Sequence, residues 1–235
     1  ETMHTVEPNG AQLPSASSSA ASSAATAADA PHSDGLGDVA DATSPTEDFA
    51  VFHGEVHVTT IATQYKKIRF YTRENVGAAD IHLPPEELDT ETFVLTLSHE
   101  TAIQVGLVGG DAGRAWHGLG ALLRRTAPLF LRCQPQDLGL AAQIRSPHFG
   151  RPALFLYDRV QGGVGLSEAL FSGHRAWFGA AAEVLAHCAC ERGCPACIGP
   201  RDEVGELGKE CAQRVLEHLV RGEPALPVEL AVELA

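Results

Sequence analysis

The first fifty residues of this 235-residue chain contain no lysine and no arginine, against eight acids: Glu1, Glu7, Asp29, Asp34, Asp38, Asp41, Glu47 and Asp48. Residues 11–30 are almost wholly Ala, Ser and Thr. Such a stretch buries too little apolar surface to offset the entropy of ordering its backbone, and Pro31, Gly35, Gly37 and Pro45 exclude a sustained helix. The expectation is a disordered acidic linker or insertion over residues 1–48. Long apolar runs are also lacking. None approaches the roughly 18 residues that cross a bilayer, and the N-terminus has neither the basic nor the apolar region of a secretory signal. A soluble protein of the bacterial cytoplasm or nucleoid, with no membrane partner, is expected. The start at Glu1 in place of Met points to a piece of a longer polypeptide.

The net charge of −13 divides as −8 for residues 1–50 and −5 for residues 51–235, where 22 acids stand against 17 bases. An acidic balance excludes nucleic-acid binding driven by net charge, because phosphates are neutralised by surplus Lys and Arg, and leaves local basic patches as the only route. The apolar content of 44% suffices for a packed core.

Order is expected from Phe49. Glu55–Ile61 and Lys66–Thr72 are rich in β-branched and aromatic residues and predict a hairpin or meander. Thr92–Ser98 alternates, with Phe93, Leu95 and Leu97 on one face and Thr92, Thr96 and Ser98 on the other, which predicts a half-buried strand. From Ala115 to Arg132 apolar residues recur at helical spacing through Trp116, Leu119, Leu123, Ala127 and Phe130, with Pro128 expected to kink or end the helix. Ala153–Tyr157 is continuously apolar, as a strand buried on both faces requires. Two further helices follow, one with Leu166, Leu170, Trp177, Ala181 and Leu185 inward, the other over about Leu207 to Val220. The fold expected is α+β: a small mixed or antiparallel sheet with several helices and a C-terminal four-cysteine zinc knuckle, over residues 49–221, before a flexible tail at 222–235.

Four of the six cysteines fall within ten residues, as Cys188, Cys190, Cys194 and Cys197 in a C-x-C-x₃-C-x₂-C array. Zinc takes four soft ligands at tetrahedral corners, and a C-x₂-C turn with Gly193 before it and Pro195 inside directs two thiolates at one ion. The C-x-C half supplies two more. An iron–sulfur cluster also uses four thiolates, but at other usual spacings; a redox pair at Cys194 and Cys197 leaves Cys188 and Cys190 without a role; disulfides are disfavoured in a reducing compartment. With every position a thiolate, the site has no place for water or substrate and reads as structural. Four thiolates and one zinc sum to −2, which nominates Arg192 and Arg201 as donors to sulfur. His187 reads as a helix-end residue, and Cys133 and Cys211 as small buried groups.

Tyr157-Asp158 and the glycines Gly162, Gly163 and Gly165 form a strand, a tight turn and a helix start. Free N–H groups there can cradle a phosphate, but no Gly-Lys-Ser/Thr follows and the spacing is not G-x-G-x-x-G, so a structural turn holding a hydrogen-bonded Asp158 is the stronger reading. His174 reads as a surface residue, and Ser167 lacks the frame of a hydrolase elbow. Lys66, Lys67, Arg69 and Arg73, interleaved with Tyr65, Phe70 and Tyr71, are the densest basic run. They are candidates for contacting single-stranded DNA, and equally describe a lysine-guarded edge strand.

The residues Leu156-Tyr-Asp158, Gly162-Gly-Val-Gly-Leu166, Cys188-Ala-Cys190 and Gly193-Cys-Pro-Ala-Cys197 resemble the C-terminal zinc-binding domain named after mitomycin repair factor A, found behind the motor of a group of superfamily 2 DEAD/DEAH-box DNA helicases. Tyr65-Lys-Lys-Ile68, Ile81-His-Leu-Pro-Pro85 with Thr90, Trp116-His-Gly-Leu119 and Asp137-Leu-Gly139 look similar too, so the resemblance covers about residues 50–220. It implies a zinc-bound accessory domain of an ATP-dependent 3′-to-5′ helicase in DNA repair, with Cys188, Cys190, Cys194 and Cys197 as ligands. The chain has no Walker A lysine and no D-E-x-H box, so a helicase motor core must act with it in cis or in trans. The rival readings are a zinc-stapled protein-interaction adaptor that does not touch DNA, and a metalloenzyme with an open coordination position.

Overall fold

The computed structural model describes residues 2–8, 48–72, 74–222 and 225–229. Its elements are β1 (Thr2–Pro8), β2 (Phe49–Ala62), β3 (Gln64–Ile68), β4 (Asn75–Asp80), β5 (Glu86–Leu97), α1 (His99–Gln104), α2 (Ala112–Thr126), β6 (Leu138–Gln143), β7 (Ala153–Asp158), α3 (Leu166–His187), α4 (Arg201–Val204), α5 (Gly208–Arg221) and β8 (Ala225–Glu229). Most of the segment read from sequence as a linker, 9–47, lies outside the described residues. At its start, however, β1 pairs antiparallel with Val56–Ala62, and within the segment read as a tail β8 pairs parallel with β2 at Ala50–His53. The 14-residue β2 has an outer edge long enough to take both.

The main sheet runs β1-β2-β5-β7-β6, antiparallel along this path. Phe49, Val51, Phe93, Leu95, Leu154, Leu156 and Leu140 line one face, under α2 and α3, with α5 packed against those two helices. Phe52, Val94, Phe155 and Tyr157 lie together on the other. The central β5 is therefore buried on both faces, not on one. Thr92 and Thr96 are fully enclosed because their hydroxyls find main-chain acceptors: Thr92 donates to the Leu156 carbonyl at 3.2 Å and Thr96 to that of Ala50 at 3.5 Å. A satisfied hydroxyl costs little to bury.

Helix α2 stops at Thr126. Pro128 sits in a 3₁₀ turn at Ala127–Leu129, and Phe130, expected inward, is 44% exposed because the helical face ends before it. The buried indoles are both satisfied. Trp116 donates to the Ala153 carbonyl at 3.0 Å, and Trp177 to the Thr126 hydroxyl at 3.0 Å. Lys66–Thr72 is not one strand either: β3 ends at Ile68 and Phe70–Thr72 form a turn.

At the β6–β7 pair, Gly139 lies opposite Tyr157, and a methyl on Gly139 would come within 2.1 Å of the tyrosine ring. The ring is buried and has no room to withdraw. Gly139→Ala is expected to destabilise the fold by about 1–3 kcal/mol in denaturant unfolding. Gly179→Ala, mid-helix in α3 with nothing within 4 Å, is expected to raise stability by up to about 1 kcal/mol.

Candidate metal centre

Helix α3 is positioned at both ends. At its start, Asp158 closes β7 fully buried, and its carboxylate accepts from the main-chain N–H groups of Val164 at 2.8 Å, Leu166 at 3.1 Å and Ser167 at 2.9 Å, and from the Ser167 hydroxyl at 2.5 Å. Gly162, Gly163 and Gly165 carry the chain round at positive φ. The N–H groups that could have cradled a phosphate are occupied by this carboxylate, the usual stabiliser of a helix N-terminus. His174 is not a plain surface residue. Its Nδ1–H donates to the Phe171 carbonyl at 2.6 Å and its ring packs on Phe171 and Phe178.

At its far end α3 delivers Cys188, where the backbone turns extended. The chain then folds on itself. Cys197 and Gly199 N–H groups both donate to the Cys194 carbonyl at 3.0 Å, and Cys194 N–H points at the Cys197 sulfur, 3.3 Å away. Four Sγ–Sγ separations follow: Cys188 to Cys190, Cys188 to Cys194 and Cys190 to Cys197 at 3.5 Å, and Cys194 to Cys197 at 3.7 Å. All four sulfurs lie within 4.8 Å of one another. Thiolates about 2.3 Å from one central ion, at tetrahedral corners, stand about 3.8 Å apart. The four sulfurs thus fit a single zinc, and among the described residues no other group of His, Cys, Asp or Glu does so.

The thiols are unequal. The N–H of Ala196, with the Cys188 and Cys197 side chains, stabilises the Cys194 thiolate and brings its pKa down to about 7, whereas burial pushes Cys197 up to about 12. Cys197 and the following Ile198 are core residues, so the knuckle is part of the hydrophobic interior and not an appendage. Cys211, buried, is raised to about 11, and Cys133 is raised too, in both cases chiefly by burial; neither joins the quartet.

Arg192 and Arg201 do not reach sulfur. Both pair with Glu206, Arg192 at 3.0 Å. Sequence reading missed the residues that brace the knuckle. Lys209, only 7% exposed, donates from Nζ to the Cys188 carbonyl at 2.8 Å and to the Cys190 carbonyl, and Arg125 on α2 donates to the Pro195 carbonyl. A signal for Lys209 existed: a lysine in the first turn of a helix opposes the helix dipole and needs a compensating partner. His187 contacts its own helix, donating to the Glu183 carbonyl at 2.8 Å. Lys66, Lys67 and Arg69 lie on or beside β3, remote in the chain from this centre; Arg73 is outside the described residues.

Comparison with known proteins places this geometry. Residues 119–198 match the family model of the MrfA Zn-binding domain. That span holds all four cysteines of the quartet. It is 34% identical over 184 residues to the Bacillus subtilis (strain 168) protein named "Uncharacterized ATP-dependent helicase YprA", covering 76% of this chain and 23% of that protein. It is also similar to a crystal structure of the DUF1998 helicase MrfA bound to DNA, with a TM-score of 0.57 and 32% identity over 75% of this chain and 23% of that one. The chain thus spans about a quarter of the length of these relatives.

If Lys209 braces the knuckle, Lys209→Met, which keeps the stem and removes the ammonium, lowers zinc affinity by roughly tenfold or more in competition with a chromophoric chelator. Lys66→Met, far from the knuckle in sequence, is the control and leaves it unchanged.

Proposed function

We propose that this chain is a zinc-stapled accessory region of an ATP-dependent DNA helicase that acts in DNA repair. Cys188, Cys190, Cys194 and Cys197 hold one structural zinc, and the ATPase is supplied by a motor core in cis or in trans. The observation that carries the reading is the sulfur quartet built into the core, in a chain whose relatives are named as helicases. With four protein sulfurs around it, the metal supplies folding energy and no open position for chemistry, so the rival of an independent metalloenzyme loses its premise. Among the described residues no helix is long and apolar enough to cross a membrane. The cytoplasm or nucleoid suits a reduced thiol quartet.

The DNA-facing part of the proposal is the basic run Lys66, Lys67, Arg69 and Arg73, with single-stranded DNA as the substrate and 3′-to-5′ as the direction in which the motor moves on it. Lys66 and Lys67 are solvent-exposed on β3, and Lys67 lies over the Tyr65 ring, 5.7 Å from its centroid. The accessory region then guides the strand on which the motor translocates.

Fluorescence anisotropy with a short labelled single strand tests this at low and at physiological salt. Binding is expected to weaken with salt. Changing Lys66, Lys67 and Arg69 together to Ala is expected to reduce the log–log slope by about 0.7 for each phosphate no longer neutralised. No binding at low salt would instead favour the protein-adaptor reading. Separately, Cys194→Ser is expected to lower the unfolding midpoint, and chelation of the unaltered chain to lower it in the same direction, because metal-binding energy is folding energy at such a site.

A further inference from the structure

Three observations meet on the hairpin of β3 and β4. Its two strands pair with each other and not with the main sheet, in a register that sets Tyr65 opposite Ala79 and Lys67 opposite Gly77. On the face of Tyr65 and Lys67, the partner strand therefore offers only a methyl group and a hydrogen.

Its turn presents two almost naked aromatic rings. Phe70 is 87% exposed and Tyr71 92%, and the two rings meet edge to face, with centroids 5.3 Å apart at 86°. Ile68 and Val76 beside them are also more than half exposed. Among the described residues no packing contact accounts for aromatic residues there, since the turn is closed by main-chain and polar groups. Arg69 N–H donates to the Glu74 carbonyl at 2.9 Å, and the Thr72 hydroxyl to the Glu74 carboxylate at 3.3 Å.

The net charge of the hairpin is positive. Residues 64–80 hold Lys66, Lys67, Arg69 and Arg73 against Glu74 and Asp80, a local +2 in a chain of −13. Of the described cations in this hairpin, only Arg69 is ion-paired, to Glu74 at 3.4 Å. Lysine guarding an edge strand accounts for the cations but not for the rings. A protein-docking patch accounts for the rings, but such patches are depleted of lysine. Rings that stack on any base, flanked by cations that meet phosphates, account for both.

We propose that this hairpin is a base-stacking finger: unpaired bases of single-stranded DNA stack on Phe70 and Tyr71, while Lys66 and Lys67 meet the phosphates on either side. The inference rests on the DNA reading above and adds the part of the ligand recognised, the base face, without sequence preference. Both rings sit at the turn outside the core, so their removal leaves the fold intact.

The test uses the full 235-residue chain, a short oligothymidylate for affinity, and the same strand carrying 2-aminopurine, whose fluorescence falls on stacking. The double variant Phe70→Ala/Tyr71→Ala is expected to bind about tenfold or more weakly, with an unchanged salt slope and no 2-aminopurine quenching. Phe70→Tyr/Tyr71→Phe, which keeps both π-faces, is expected to bind like the parent. If the parent binds and the alanine variant binds equally well, or quenches equally, the stacking role is overturned while the DNA reading stands. If the weakening appears as a smaller salt slope, the rings only position the cations and the proposal fails. A parent that binds no single strand at low salt overturns both.

Discussion

Four sulfur atoms gathered within 4.8 Å set the terms for the C-terminal half of this domain. Like-charged thiolates at that distance repel one another, and a bound cation is what makes their proximity favourable. The backbone around them is committed accordingly. Cys188 is placed by the end of α3, Cys197 and Ile198 are packed into the core, and α5 begins with Lys209 reaching back to the carbonyls of Cys188 and Cys190. Release of the metal would expose a cluster that two helices are built to enclose.

The opposite end of α3 is secured by different chemistry. The helix has 22 residues, so its ends stand about 33 Å apart. No single ligand set spans that distance. Asp158 therefore holds the first turn with one buried carboxylate, and the metal knuckle holds the last, while Trp177, Phe178 and Phe93 clamp the middle through ring contacts. A buried carboxylate shared among three N–H groups is a rigid fixture, since removal of any partner leaves a polar group without solvent. Phosphate recognition at this turn would have to displace Asp158.

The local features are legible in the sequence and the tertiary ones only in part. The cysteine spacing, the inward face of α3 and the doubly buried β7 all follow from periodicity and residue type within one segment, and each is found in the fold. The misreadings share a cause. Thr92 and Thr96 read as solvent-facing because a hydroxyl is polar, yet neighbouring strands supply acceptors that only the register reveals. Nearness in sequence points Arg192 and Arg201 at sulfur, but Glu206 takes both, and the long-range partners Lys209 and Arg125 form the braces. Phe130 obeys the helical spacing past a proline that ends the helix.

These parts describe a division of labour: an interior built around four sulfurs that suit one zinc, and a hairpin outside the main sheet that carries exposed cations and rings. X-ray absorption at the zinc edge, on the chain purified anaerobically, tests the central claim most directly. The account predicts one zinc per chain, surrounded by four sulfurs at about 2.3 Å and no lighter ligand. Iron in its place, a shell with nitrogen or oxygen replacing a sulfur, or a folded chain without metal would contradict it.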